Sequence, residues 1–151
     1  MAASSNPMPH GRTAPQQPRI LVVDDHDSTR RAMRLLLERE DHFVVCGEAA
    51  DGREAVDSAV KLRPDLIVMD VAMPRMNGLQ AAEQLGKALP DTPVLLISLN
   101  ASEHMLPLKL GTIFGLVSKQ NAALELPRAV HALLEGDTYF QKDLKLFPES
   151  N

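Results

Sequence analysis

The sequence contains a single cysteine, Cys46, so no disulfide can form within the chain. Cys46 follows the apolar residues 43–45, which predicts a buried and unreactive thiol. The net charge of −4 provides no positive field to attract nucleic acid or anionic lipid. No apolar run approaches the roughly 20 residues of a membrane helix, and the N-terminus lacks the apolar segment of a secretory signal. These absences favour a cytoplasmic protein that binds neither DNA nor membranes by itself.

The composition favours one globular domain. The 151 residues are 44% hydrophobic and 24% charged, which is ordinary for a folded domain of this length. Residues 1–18 hold prolines among small and polar residues, and this composition predicts a disordered N-terminal arm. Residues 19–137 carry the patterned segments. Residues 138–151 are predicted to form a polar C-terminal tail or a truncated linker.

Short apolar runs alternate with helical patterns throughout residues 19–137. The runs predict buried strands at 20–23, 43–49, 66–69, 94–97 and 113–117. Five helical patterns lie between and after them: one capped by Ser28 or Thr29, others near 55–60, 78–89 and 102–110 (with Pro107), and a last one with Pro127 in its first turn. Strict alternation predicts an α/β fold, a doubly wound five-stranded parallel sheet with five helices.

Polar residues close four of the five predicted strands. They are Asp24 and Asp25, Asp70, Ser98 and Lys119. In the flavodoxin-like strand order 2-1-3-4-5, the carboxyl ends of these strands meet at one crevice. Three carboxylates placed together favour Mg²⁺ or Mn²⁺, and adding an ammonium and a hydroxyl makes a phosphoryl site in which one carboxylate is the nucleophile.

At these motifs the sequence resembles a response-regulator receiver domain (CheY-like) of the NarL/FixJ-type branch. The resemblance covers about residues 19–137 and is carried by the segments 20–25, 70–78 and 115–119 together with Ser98. It implies that the domain is a signalling module rather than an enzyme. It also implies that the phosphoryl donor is a histidine kinase or a phosphotransfer protein.

The resemblance assigns a role to each residue at the strand ends. It implies that Asp70 is the phospho-acceptor, and that Asp24, Asp25, Asp70 and the backbone carbonyl of Ala72 hold Mg²⁺. It also implies that Ser98 is the switch hydroxyl and that Lys119 binds the phosphoryl group.

The sequence departs from the family at three places. Leu99 follows the switch hydroxyl, where the family usually has a small residue, and a leucine there is expected to crowd the acceptor. Leu116 stands where the family usually has a rotating Tyr or Phe; Phe114, two residues earlier, is expected to share its strand face. Pro107 is expected to alter the fourth helix. The resemblance implies that this helix, the fifth strand and the fifth helix form a signalling face, through which the chain could form a homodimer. The branch normally continues into a helix-turn-helix domain, so a chain ending at Asn151 suggests a stand-alone receiver or a fragment.

Two other functions stay open at this point. Asp25 to Thr29 fits Asp-x-Asp-x-Thr and resembles the nucleophile loop of haloacid-dehalogenase-type phosphatases, with Asp25 attacking and Asp27 as acid/base. That interpretation leaves Asp70 and the turn at residues 73–78 unexplained. The third possibility is a receiver that takes no phosphate and acts as a protein-binding module, which Leu99 keeps open.

Overall fold

The structure, a computed structural model, describes residues 17–40, 42–99 and 113–140. Its strands are β1 (Arg19–Val23), β2 (Val44–Ala49), β3 (Leu66–Asp70), β4 (Val94–Ser98), β5 (Ile113–Ser118) and β6 (Tyr139–Phe140). Its helices are α1 (Asp27–Glu38), α2 (Gly52–Leu62), α3 (Gly78–Ala88) and α4 (Ala122–Leu134), with a 3-10 turn at Lys119–Asn121. The helix expected over 102–110 lies outside the described residues. None of the helices within the described ranges is long and apolar enough to cross a membrane.

All six strands belong to one parallel sheet in the order β2-β1-β3-β4-β5-β6. The first five follow the predicted flavodoxin-like order, so the predicted α/β fold is confirmed. Every residue of β3 and β4 is buried, which explains why their sequences are unbroken apolar runs.

The sixth strand corrects the prediction of five. Tyr139 pairs with Gly115 and Phe140 with Leu116, so β6 adds a parallel edge beside β5. Two residues are too short to show any periodicity, and β6 exists only through its pairing with β5. The sequence therefore carried no local signal for it.

Helices cover both faces of the sheet and divide the core in two. One cluster packs α2 and α3 against the sheet, with small residues such as Ala55, Ala59 and Ala81 at the contact. The other packs α1 and α4 against the opposite face through Met33 and Leu126 among others. Because both faces are covered, the open end of the sheet at the strand carboxyl termini is where polar groups can gather.

Two predicted helix starts differ from the structure. α1 begins at Asp27 with His26 at the N-cap position and no side-chain cap bond, so Ser28 and Thr29 lie inside the helix rather than capping it. Pro127 lies in the second turn of α4 rather than the first, because the helix already begins at Ala122, five residues earlier.

A bulge in β5 changes which side chains share a face. Val94 pairs with Ile113 but Leu95 pairs with Gly115, so Phe114 is the extra residue. Leu116 consequently packs in the α2/α3 cluster, whereas Phe114 packs against the α1/α4 cluster. The expectation that Phe114 shares the face of Leu116 is therefore wrong, because strict alternation does not continue through a bulge.

The loop from β3 to α3 folds back tightly on the end of β3. Gly78 donates its N–H to the Val71 carbonyl at 2.8 Å, and Asn77 and Gln80 form a reciprocal capping box at the start of α3. A Cβ on Gly78 would lie 2.3 Å from the carbonyl oxygen of Asp70. Only glycine allows this approach, and it holds the backbone of Asp70 in place.

The close approach predicts that Gly78→Ala destabilises the fold by about 1–3 kcal/mol, because the backbone of Asp70 and Val71 must move to admit the methyl group. The matched control is Gly86→Ala in the same helix, where helix propensity alone predicts a gain of up to about 1 kcal/mol. Urea unfolding of both variants measures the difference. Equal stability of the two variants would contradict the packing argument.

Candidate functional site

Strand register brings the predicted polar residues to one edge of the sheet. Val23 of β1 pairs with Met69 of β3, so Asp24 and Asp70 leave the sheet side by side. Both are buried, with 0% and 3% of their surfaces exposed. Asp25 follows Asp24 and is partly exposed.

The neighbouring strands β4 and β5 complete the edge. Asp70 pairs with Ile97, and Ser98, one residue further on, pairs with Ser118 at the end of β5. Ser98 is buried, with 1% of its surface exposed. Lys119 follows Ser118 at the start of the 3-10 turn, where the Ser118 side chain accepts a hydrogen bond from the N–H of Gln120.

Lys119 joins the two buried carboxylates. Its Nζ lies 3.1 Å from Oδ2 of Asp70, to which it donates a hydrogen bond, and 3.1 Å from Oδ2 of Asp24. The second contact is an ion pair without hydrogen-bond alignment. Burial lowers the pKa of the Lys119 ammonium, but the two carboxylates outweigh it and the net shift is upward. Lys119 is therefore a fixed positive charge at this edge.

The carboxylate of Asp70 is held from both sides. Oδ2 accepts from Lys119, and Oδ1 accepts from the N–H of Ala72 at 3.2 Å. Burial raises the pKa of Asp70 and the charge of Asp24 adds to this, while the hydrogen bond and charge of Lys119 lower it; the net shift is upward. A desolvated, oriented carboxylate of this kind is a plausible nucleophile.

The acidic residues fit a divalent cation. Oxygens of Asp24, Asp25 and Asp70 and a ring nitrogen of His26 all lie within 4.8 Å of one another. Two of the buried oxygens, Asp24 Oδ2 and Asp25 Oδ1, accept no hydrogen bond from the described residues. Lys119 Nζ lies 3.1 Å from the first of these oxygens and His26 Nδ1 lies 3.2 Å from the second. Three carboxylates nevertheless share one ammonium, and an oxygen-rich set with this excess negative charge suits Mg²⁺ or Mn²⁺.

His26 lies at the surface beside the acidic pair. Its side chain is 67% exposed, yet Nδ1 lies 3.2 Å from Oδ1 of Asp25 and 3.5 Å from Oδ1 of Asp24. Its backbone N–H donates to Oδ1 of Asp24 at 2.9 Å. His26 thus orients Asp24 through its backbone whatever its ring does.

The two leucines that depart from the family occupy opposite environments. Leu99, directly after Ser98 at the end of β4, is 61% exposed. Leu116 is 1% exposed and lies in the α2/α3 cluster, below the site. Ala72 is exposed, and its N–H rather than its carbonyl makes the hydrogen bond to Asp70.

Sequence reasoning missed two residues beside the site, Arg30 and Glu48. Arg30 of α1 donates to the backbone carbonyl of Asp24 at 2.7 Å and to Oε1 of Glu48 in β2 at 2.9 Å. The available signal was Glu48, a single acidic residue in an otherwise apolar strand, because a carboxylate in such a strand usually pairs with a basic residue. Nothing in the sequence identified Arg30 as that partner.

The geometry does not favour the phosphatase interpretation. Asp27, the acid/base in that scheme, has a side chain that is 88% exposed and pairs with Nη2 of Arg30 at 2.7 Å. It therefore points toward α1 and solvent, while Asp25 belongs to the acidic group with Asp24 and Asp70.

Comparison with known proteins points to one family. Residues 20–131 match the model of the response regulator receiver domain. The chain is 34% identical over 128 residues to the transcriptional regulatory protein YdfI of Bacillus subtilis, covering 83% of this chain and 59% of that protein. The chain thus spans little more than half the length of this relative.

Solved structures agree with the family match. A LuxR-family two-component response regulator from Aurantimonas sp. superposes with a TM-score of 0.76 at 28% identity, covering 85% of this chain and 93% of that one. The signal receiver domain of the putative response regulator NarL from Mycobacterium tuberculosis superposes with a TM-score of 0.72 at 30% identity, covering 81% and 99%.

The pKa shifts of Asp70 and Glu48 predict opposite changes in stability when each carboxylate is replaced by its uncharged amide. Urea unfolding in the presence of a chelator measures both changes. Burial raises the pKa of Asp70 in the folded state, so the ionised carboxylate destabilises the fold at pH values above that pKa. This destabilisation disappears as the pH falls to the pKa of Asp in the unfolded chain, about 3.9. Asp70→Asn should therefore be more stable than wild type at pH 7, with the gain shrinking in acid.

Glu48→Gln is the control of opposite sign. Hydrogen bonds from Arg30 and Arg34 lower the pKa of Glu48, so its carboxylate stabilises the fold above its unfolded-state pKa, and that contribution is lost as pH falls through the folded-state pKa. The variant should be less stable than wild type at pH 7. An Asp70→Asn protein less stable than wild type at pH 7 would contradict the burial argument.

Proposed function

The chain belongs to the response regulator receiver family, and we propose that it accepts a phosphoryl group on Asp70 from a histidine kinase or phosphotransfer protein. The observation that carries the proposal is the position of Lys119 Nζ, 3.1 Å from an oxygen of both Asp24 and Asp70 at the strand-end edge. The proposed receiver unit is residues 19–137, and Tyr139 and Phe140 extend its sheet as β6. The proposed activity is signalling, with the chain acting as the substrate of its own phosphorylation rather than turning over another molecule.

The proposed reaction is an in-line transfer to a carboxylate oxygen. That oxygen of Asp70 forms a bond to phosphorus as the donor's phosphorus–nitrogen bond breaks, and the electron pair of the broken bond stays on the donor imidazole. The product is a mixed anhydride on Asp70. Lys119 already contacts Asp70, so its ammonium is placed to meet the negative charge of the incoming oxygens.

Asp24, Asp25 and Asp70, with the backbone carbonyl of Ala72, are the residues that would hold Mg²⁺ or Mn²⁺. The grouping of three carboxylates around a single ammonium supports this assignment. When bound, the cation would offset the repulsion between the carboxylates and the phosphoryl oxygens. The fixed Lys119–Asp70 contact orients the acceptor independently of the cation.

Ser98 is the proposed switch hydroxyl, because it ends the strand beside Asp70 and is buried at the same edge. Leu116 lacks an aromatic ring, and the bulge at Phe114 removes the alternative ring from that face. The change at Ser98 would therefore reach a partner or an output domain without a rotating aromatic at position 114 or 116. We also propose that the chain forms a homodimer through the face made by the helix expected over 102–110, β5 and α4.

The proposal predicts covalent labelling of Asp70 by acetyl phosphate. Wild type should gain the mass of one phosphoryl group in the presence of Mg²⁺, Asp70→Asn should gain none, and Asp25→Asn should gain it much more slowly because a proposed metal ligand is lost. Intact-protein mass spectrometry measures the modification. Asp27→Asn is the matched control, since Asp27 is an exposed acid two residues after Asp25, at the start of α1, and its substitution should leave labelling unchanged.

Two results would replace the proposal with an alternative. A label that survives Asp70→Asn but vanishes in Asp25→Asn would indicate the phosphatase. A wild-type chain that takes no label and binds no beryllofluoride would indicate a protein-binding module that is not phosphorylated.

Leu99 is predicted to slow the transfer by narrowing access to Asp70. Leu99→Ala should speed labelling by acetyl phosphate roughly two- to tenfold, which corresponds to a barrier lowered by up to about 1.4 kcal/mol. Leu35→Ala on α1 is the matched control, because Leu35 is also exposed (57%, against 61% for Leu99) but is distant in sequence from every strand end. Equal rates for Leu99→Ala and wild type would remove Leu99 as a modulator.

A further inference from the structure

The guanidinium of Arg30 joins three parts of the chain beside the acidic residues. Nη1 donates to the carbonyl oxygen of Asp24 at 2.7 Å, Nε donates to Oε1 of Glu48 at 2.9 Å, and Nη2 donates to Oδ1 of Asp27 at 2.7 Å. Its side chain is only 16% exposed. Each nitrogen of the planar fork thus has a separate partner, in the loop after β1, in β2 and in α1.

The contact with Asp24 completes the restraint of that residue. The N–H of Asp24 donates to the carbonyl of Ala49 at 3.1 Å, and Oδ1 accepts from the N–H of His26 at 2.9 Å. Its carbonyl oxygen accepts from Arg30. Since that carbonyl belongs to the peptide between Asp24 and Asp25, fixing it sets the orientation of the peptide and therefore the direction in which the Asp25 side chain leaves the backbone.

Glu48 anchors the fork of Arg30. It lies in β2, next to β1, and its two carboxylate oxygens pair with Arg30 and Arg34. Arg34 also pairs with Glu38 in the same helix, and among the described residues its hydrogen bonds go to Glu38 and Glu48 rather than to the loop after β1. The two arginines therefore share an anchor and differ in whether they touch the backbone of Asp24.

We propose that Arg30, anchored by Glu48, is the positioning residue of the acidic site: it holds the Asp24–Asp25 peptide so that the two carboxylates converge on a divalent cation. The inference rests on the proposed function of that site as a place for Mg²⁺ or Mn²⁺. Residues that orient metal ligands without touching the metal typically account for about 10–100-fold in affinity. Loss of Arg30 should weaken cation binding by about tenfold or more.

Charge and positioning predict opposite results for Arg30→Gln. Removing a positive charge near three carboxylates would by electrostatics alone strengthen cation binding. Losing the hold on the Asp24 carbonyl would weaken it. Arg30→Lys keeps the charge, but one ammonium cannot reproduce three contacts in a planar fork, so it should weaken binding as well.

The experiment measures the dissociation constant of Mn²⁺ by electron paramagnetic resonance of the free ion, with urea unfolding of each variant to establish that it is folded. Arg30→Gln and Arg30→Lys should bind about tenfold or more weakly than wild type. The matched controls Arg34→Gln and Arg34→Lys, which change the other arginine partner of Glu48 and leave Arg30 in place, should stay within about twofold. Glu48→Gln, which weakens the anchor but keeps Arg30, should lie between the two pairs.

The outcomes separate this inference from the function on which it rests. Tight binding by wild type, loss in Asp25→Asn and unchanged binding in the Arg30 variants would overturn the role of Arg30 alone. Equal weakening in the Arg30 and Arg34 variants would do the same, since it would indicate a general effect of the ion pairs. No Mn²⁺ binding by wild type would overturn both the inference and the proposed cation site.

Discussion

The ammonium of Lys119 lies 3.1 Å from an oxygen of Asp24 and of Asp70, and the site depends on this shared contact. Two buried carboxylates side by side would repel each other at a large cost in free energy. One ammonium offsets only one of the charges, and Asp25 adds a third carboxylate. The edge is therefore left with excess negative charge, which favours the binding of a divalent cation.

The fold makes this arrangement possible by confining the polar groups to a single edge. Both faces of the sheet are covered by helices, and β3 and β4 are buried along their whole length. The acidic residues consequently lie at the border between the core and solvent, where burial raises the pKa of Asp70 while Asp25 stays partly exposed. Gly78 contributes from the other side, since its missing side chain lets α3 pack on the backbone of Asp70.

Much of the fold and of the site was predictable because their signals are local. Buried parallel strands are apolar runs, and Asp24, Asp25, Asp70, Ser98 and Lys119 each mark the end of one. The β5 bulge was not predictable, since an extra residue is defined only against the partner strand; this is why Phe114 was placed on the wrong face. The roles of the site residues stay predictions, because they concern reactions rather than positions.

The sequence by itself determined the order of elements, the chemistry available at the strand ends and the departures at Leu99 and Leu116. These follow from residue type and short-range pattern. Only the tertiary structure decided that Lys119 bridges two carboxylates, that Tyr139 and Phe140 join the sheet, and that Arg30 and Glu48 support the acidic loop. Those contacts join residues far apart in the chain or on different elements, and packing and register, which no local pattern encodes, bring them within a few ångströms of each other.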